Sequence, residues 1–198
     1  MLGSCVMIEQ SFSLISDQCA GKAVLQMADR NIILIGFMGT GKSVTGKVLA
    51  ETCGLSFADS DNEIERAEGT TIPAIFAEYG EDYFRKKETE ALMRLLSGTG
   101  QVISTGGGAV LSPGNREAML RGGFVAALTA RAETIIARVG HDSNRPLLQG
   151  DRENKVRELL EARKTAYQFA HITIETDGLS HLEVAEEIRR AYLHYEKS

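Results

Sequence analysis

Asn31-Ile-Ile-Leu-Ile-Gly36-Phe-Met-Gly-Thr-Gly-Lys42-Ser43 is the stretch on which the fold turns. Its opening apolar run does not alternate with polar residues, the pattern of a strand buried on both faces. From Gly36 onward it satisfies G-x-x-x-x-G-K-[ST], and the apolar spacing that follows predicts a helix over 42–53. Strand, glycine-rich turn and helix in that order are the context of a phosphate-binding loop. The glycines let backbone N–H groups turn inward around phosphate oxygens. Lys42 adds a mobile positive charge toward the β- and γ-phosphates, Ser43 offers a hydroxyl to Mg²⁺, and the helix N-terminus contributes its own partial charge. The competing reading is a glycine-rich turn with a surface lysine, which calls for neither the strand nor the helix.

Working outward, short apolar segments predict further strands over 55–58, 101–104, 124–128 and 171–175. Helical spacing covers 61–68, 72–79, 81–97, 115–121, 132–139, 152–170 and 180–195, with Gly69, Gly80 and Gly98 as stops. Five strands separated by helices predict an α/β fold: a three-layer α/β/α sandwich with a five-stranded parallel sheet and ligands at the carboxyl ends of its strands. With 198 residues, 43% of them hydrophobic, there is material for one core, so residues 30–198 are expected to form a single domain. Residues 1–29 read as a loosely attached extension without the basic character of a targeting peptide. A net charge of −5 argues against binding nucleic acid or anionic lipid through net charge, so any cations serving an anionic ligand must be local. No apolar run reaches the ~20 residues that cross a bilayer. Cys5, Cys19 and Cys53 fit no zinc or disulfide spacing, and reduced thiols in a cytoplasmic monomer are the expectation.

Asp59-Ser-Asp61 follows the second strand and puts two carboxylates at the carboxyl edge of the sheet. Asp59 suits a metal-bound water and Asp61 an acceptor hydroxyl, and the plainer alternative makes one of them a helix N-cap. Arg163 shares a stripe with Val156, Leu159, Leu160 and Tyr167, and Arg85 and Glu88 align with Leu92, Leu95 and Leu96. Each arginine alone reads as a snorkelling or ion-paired side chain. Two together in a nucleotide-binding protein favour a site for a carboxylate, which guanidinium grips in a bidentate fork. Gly106-Gly107-Gly108 after the third strand is either a flexible connection or a place where a ligand meets the backbone closely. The polar segment over 140–150 reads as a lid, at about 140–152, with Arg145 closing over the transferring phosphate, or else as an ordinary surface loop.

Taken together, Gly36-Phe-Met-Gly-Thr-Gly-Lys-Ser43, Phe57-Ala-Asp-Ser-Asp61, Phe84-Arg-Lys-Lys-Glu88, Gly106-Gly-Gly-Ala-Val110, Arg145-Pro-Leu-Leu148 and Arg163 four residues before Tyr167 resemble the shikimate kinase family. The similarity runs from about Asn31 to the C-terminus. It implies a P-loop fold like that of nucleoside-monophosphate kinases, and transfer of the γ-phosphate of ATP to the 3-hydroxyl of shikimate in aromatic amino acid biosynthesis. By the same resemblance, Gly39, Thr40, Gly41, Lys42, Ser43, Val44, Arg138 and Arg145 hold ATP. Ser43 ligates Mg²⁺ and Asp59 holds it through water, while Arg85, Arg163, Asp61 and the backbone of Gly106, Gly107 and Gly108 bind shikimate. Lys42, Asp61 and Arg145 are the implied catalytic groups, and the partners are the two small substrates alone. The chain departs from the family pattern in its leader and at Thr176-Asp177-Gly178, which lacks the basic or proline residue that often lines the adenine site. The rival readings are another small-molecule kinase such as a gluconate or nucleotide kinase, and a catalytically silent relative that binds nucleotide or a protein partner.

Overall fold

β1 (Asn31–Gly36) is buried at every position and sits at the centre of the sheet. The computed structural model describes residues 30–139 and 151–197, and in it the strands run parallel in the order β2-β3-β1-β4-β5. The others are β2 (Ser56–Asp59), β3 (Gln101–Ser104), β4 (Gly123–Thr129) and β5 (Ile172–Glu175). The helices are α1 (Lys42–Cys53), α2 (Ser60–Glu68), α3 (Ile72–Leu96), α4 (Pro113–Gly122), α5 (Ala132–Val139), α6 (Arg152–Ala162) and α7 (His181–Tyr195). Among the described residues no helix is long and apolar enough to cross a membrane.

The missing alternation in β1 has a direct structural cause. Ile33 and Ile35 point to one face and pack with Ile103, Val125 and Ala127 against Leu92, Met119, Ile135 and Val156 from α3 to α6. Ile32 and Leu34 point to the other and pack with Phe124, Ala126 and Leu128 against Leu49 and Cys53 of α1 and Val184, Ile188 and Tyr192 of α7. A strand covered on both faces has no solvent side to make polar. A smaller third cluster, Ile64, Ile75, Phe84 and Ala91, joins α2 to α3 apart from the sheet.

Local signals set most element ends. Ser180 caps α7 in a reciprocal box with Glu183, Ser112 and Thr71 accept from the third residue of α4 and α3, and Gly54 and Gly69 end α1 and α2 in the left-handed region.

The structure corrects the sequence reading at the start of β2 and at the end of α6. Leu55 belongs to a turn that closes α1, its N–H donating to Ala50 O at 2.9 Å, so β2 starts one residue later than expected. Gly80 separates two helical segments as expected: at φ 80° and ψ 178° it is non-helical, and α3 is two helices joined at this kink. The helix expected over 152–170 ends at Ala162. Beyond it the chain tightens into i→i−3 hydrogen bonds, such as Ala166 N–H to Arg163 O at 2.9 Å, and the side chains of Arg163 and Tyr167 reach Gly107 from this stretch.

Candidate active site

At the carboxyl edge of the sheet, β1 runs into the loop 36–41, and Gly39 and Gly41 adopt positive φ there. A Cβ on Gly41 would lie 3.1 Å from His181 Cε1, and one on Gly39 would lie 2.8 Å from Val139 Cγ1. The loop is thus pinned between α5 and α7, and only glycine fits both its torsions and its clearance. Lys42 turns its ammonium back onto the loop, donating to Gly36 O and Phe37 O at 2.9 Å each. In place of a freely mobile charge, the structure shows one held beneath the phosphate cradle. Thr40 also faces inward, its Oγ1 donating to Phe37 O at 2.8 Å, so its side chain shapes the loop from within.

A cleft of about 450 Å³ opens above this loop, walled by Gly39, Gly41, Lys42, Ser43 and Val44, by Asp59 and Asp61, and by Gly107, Arg138 and His181. Ser43 Oγ donates to Asp59 Oδ2 at 2.7 Å and lies 3.2 Å from Ser104 Oγ. The other oxygen of Asp59 accepts the Asp61 N–H at 3.0 Å, capping α2. Asp59 is therefore the N-cap of α2 and at the same time faces the loop serine. Hard oxygens of a serine and a carboxylate, side by side next to a phosphate cradle, are the donor set that suits Mg²⁺, which keeps most of its shell for water and phosphate oxygens.

Arg138 reaches from α5 to donate to Gly39 O at 3.1 Å and Thr176 Oγ1 at 3.3 Å. Across the loop His181 Nδ1 lies 3.2 Å from Thr45 Oγ1. Asp177 is committed elsewhere: it accepts from the Arg131 N–H at 2.8 Å and from Thr134 Oγ1, which fastens the chain after β5 to the start of α5.

Residues 106–108 pass beside the loop, and Gly107 lines the cleft. A Cβ on Gly106 would come within 2.6 Å of Glu88 Oε1 and 2.7 Å of Asp61 Oδ1, and one on Gly108 within 2.2 Å of Arg85 Nη1. The glycines are there because two carboxylates and a guanidinium crowd against the backbone. We expect Gly106→Ala to push Asp61 and Glu88 apart and lower kcat/KM for the acceptor by at least about tenfold, ~1.4 kcal/mol. Unchanged acceptor kinetics in a folded variant would contradict that crowding.

Arg85 is engaged on both sides, by Glu81 Oε1 at 2.9 Å and Glu88 Oε2 at 2.8 Å. Burial works against its charge, yet the two glutamates outweigh that and hold its pKa above the ordinary arginine value. Glu88 is only 2% exposed, and burial pushes its carboxyl up in spite of the pull of Arg85 and Arg163. Its Oε1 has no hydrogen-bond partner among the described residues. Arg163 does not snorkel. It is buried at the C-cap of α6, 5.8 Å over the Phe37 ring, with Nη1 3.4 Å from Gly107 O. Both arginines thus arrive at the triple glycine, one at Gly108 and one at Gly107. Arg145 and the lid expected at 140–152 fall, apart from the start of α6, outside the described residues.

Sequence reasoning passed over Glu88, His181 and Tyr167 as site residues. Glu88 alone carried a signal, a charge on an apolar stripe. His181 and Tyr167 are brought to the loop and the triple glycine by tertiary packing across long sequence separations.

The model of the shikimate kinase family matches residues 38–192. A shikimate kinase of Thermoanaerobacter pseudethanolicus is 41% identical over 169 residues, 85% of this chain and 99% of that protein. One of Moorella thermoacetica is 45% identical over 161 residues, 81% of this chain and 93% of that protein. Among solved structures, shikimate kinase from Acinetobacter baumannii in complex with shikimate superposes with a TM-score of 0.82 at 43% identity, covering 85% of this chain and 96% of that one. A gluconokinase from Sinorhizobium meliloti, at 17% identity and a TM-score of 0.59, shares the fold alone. By sequence over most of its length and by structure, the chain belongs to the shikimate kinase family.

Proposed function

We propose that the chain transfers the γ-phosphate of Mg·ATP to the 3-hydroxyl of shikimate, as a cytoplasmic monomer, with the cleft divided between its two substrates. The observation that carries this division is the meeting of Asp61, Glu88, Arg85 and Arg163 at residues 106–108, beside the loop, with Asp61 and Gly107 lining the cleft that the loop and Arg138 also line. Phosphates lie on Gly39, Thr40, Gly41, Lys42, Ser43 and Val44, with Arg138 on the nucleoside side. Mg²⁺, held by Ser43 and through water by Asp59, would screen charge between the phosphates. Asp61 accepts the proton of the attacking hydroxyl or orients it, in reach of the loop that carries the phosphate to be transferred. Arg163 and Arg85 take the carboxylate of shikimate, and the backbone of Gly106, Gly107 and Gly108 lines its ring. Arg145 is assigned to the transferring phosphate on the family pattern alone.

An ADP-release assay with shikimate, gluconate and nucleoside monophosphates tests the acceptor: turnover with shikimate supports it, and turnover only with another acceptor sinks it. Arg163→Lys tests the clamp. Lysine keeps the charge but loses the flat fork that lies over Phe37. KM for shikimate should rise at least about tenfold, ~1.4 kcal/mol, with KM for ATP little changed. Unchanged shikimate affinity by calorimetry would discard the clamp.

A further inference from the structure

The three carbonyls of the triple glycine are held in different ways. Gly106 O accepts the Ala109 N–H at 3.1 Å and Gly108 O accepts the Leu111 N–H at 2.9 Å, both within the local turns. Gly107 O is instead held from outside, by Tyr167 Oη at 2.9 Å and by Arg163 Nη1 at 3.4 Å. Tyr167 is buried, and burial pushes its phenol up, so it stays a hydrogen-bond donor across the neutral range.

A peptide unit between two glycines has no Cβ on either side to set its plane, so an external bond decides how it faces. The unit is trans, and in a trans peptide the C=O and the N–H point in opposite directions. Drawing Gly107 O toward Tyr167 therefore aims the Gly108 N–H the other way. Gly108 is the residue against which the Arg85 guanidinium lies.

We propose that Tyr167 is a positioning residue for the acceptor: its hydroxyl and Arg163 together lock the Gly107–Gly108 peptide plane, so that the Gly108 amide faces the bound hydroxy acid beside Arg85. This rests on the division of the cleft described above. Tyr167 touches no substrate, acting only through the peptide it holds. It also gives Arg163 a second task, since the same guanidinium meets the ligand and steadies the backbone that meets it.

The full-length chain carrying Tyr167→Phe is the test, because phenylalanine keeps the ring and removes only the donor. KM for shikimate should rise about fivefold, the size of one neutral hydrogen bond, while KM for ATP stays within about twofold and the melting temperature moves little. Combining it with Arg163→Lys should cost less than the sum of the two, because both donors act on one carbonyl. An unmoved KM for shikimate, a parallel rise in both KM values, or full additivity in the double variant would each overturn the assignment. The wild-type control separates the two layers. No turnover with shikimate would remove the functional reading and this inference with it, whereas normal wild-type turnover with an unaffected Tyr167→Phe variant removes this inference alone.

Discussion

Lys42→Ala should yield a folded protein whose turnover falls by about 10³-fold or more. The lysine ammonium lies under the loop, bonded to Gly36 O and Phe37 O, so it is already in place where charge builds on the β- and γ-phosphates during transfer. No other lysine or arginine of the described cleft occupies that position. Arg138 is bonded to Gly39 O and Thr176 Oγ1 on the α5 side, and Arg85 and Arg163 are at the triple glycine. Alanine also strips two loop carbonyls of a charged donor, which costs about 1–3 kcal/mol and lowers the melting temperature by several degrees without unfolding the core. ADP release alongside a thermal melt checks both parts. Wild-type turnover with a normal melt would remove phosphate transfer by this loop as the central chemistry.

Asp61→Asn should lower kcat by about 10²-fold or more while ATP affinity barely changes. Asp59, not Asp61, makes the hydrogen bond to Ser43, and Asp59 also caps α2, so the pair assigned above to Mg²⁺ should stay intact when Asp61 is neutralised. Asparagine preserves the shape at Gly106 but cannot take a proton from the acceptor hydroxyl. A variant that loses ATP binding while keeping kcat would exchange the roles of the two aspartates.

How much of this could be read from sequence follows from where each signal resides. β1 and the loop are local statements: a non-alternating apolar run says that both faces are covered, and the glycine spacing says that the backbone turns inward. Both are borne out in the fold. The end of α6 was not legible. Residues 163–170 keep an apolar spacing that suits a helix, yet they form tighter turns from which Arg163 and Tyr167 contact Gly107, a pairing distant in sequence that no local pattern encodes. Arg85 and Arg163 were recognisable as charges on apolar stripes, and the structure brings them to one turn. That Arg85 is engaged by Glu81 and Glu88 depends on side-chain direction along α3, which spacing alone leaves open. The glycines 106–108 read in sequence either as a flexible connection or as a place where a ligand meets the backbone, and the structure shows side chains crowding against two of them.

The small cluster of Ile64, Ile75, Phe84 and Ala91 has a consequence for how such an enzyme diversifies. The loop 36–41 is carried by β1 between the two large layers, while Asp61, Arg85 and Glu88, the side chains assigned above to the acceptor, are carried by α2 and α3, which share this smaller cluster and join the main core through Leu92. Variation at Ile64, Ile75 or Phe84 therefore bears first on the unit that carries the side chains assigned to the acceptor, and reaches the sheet and its loop through α3.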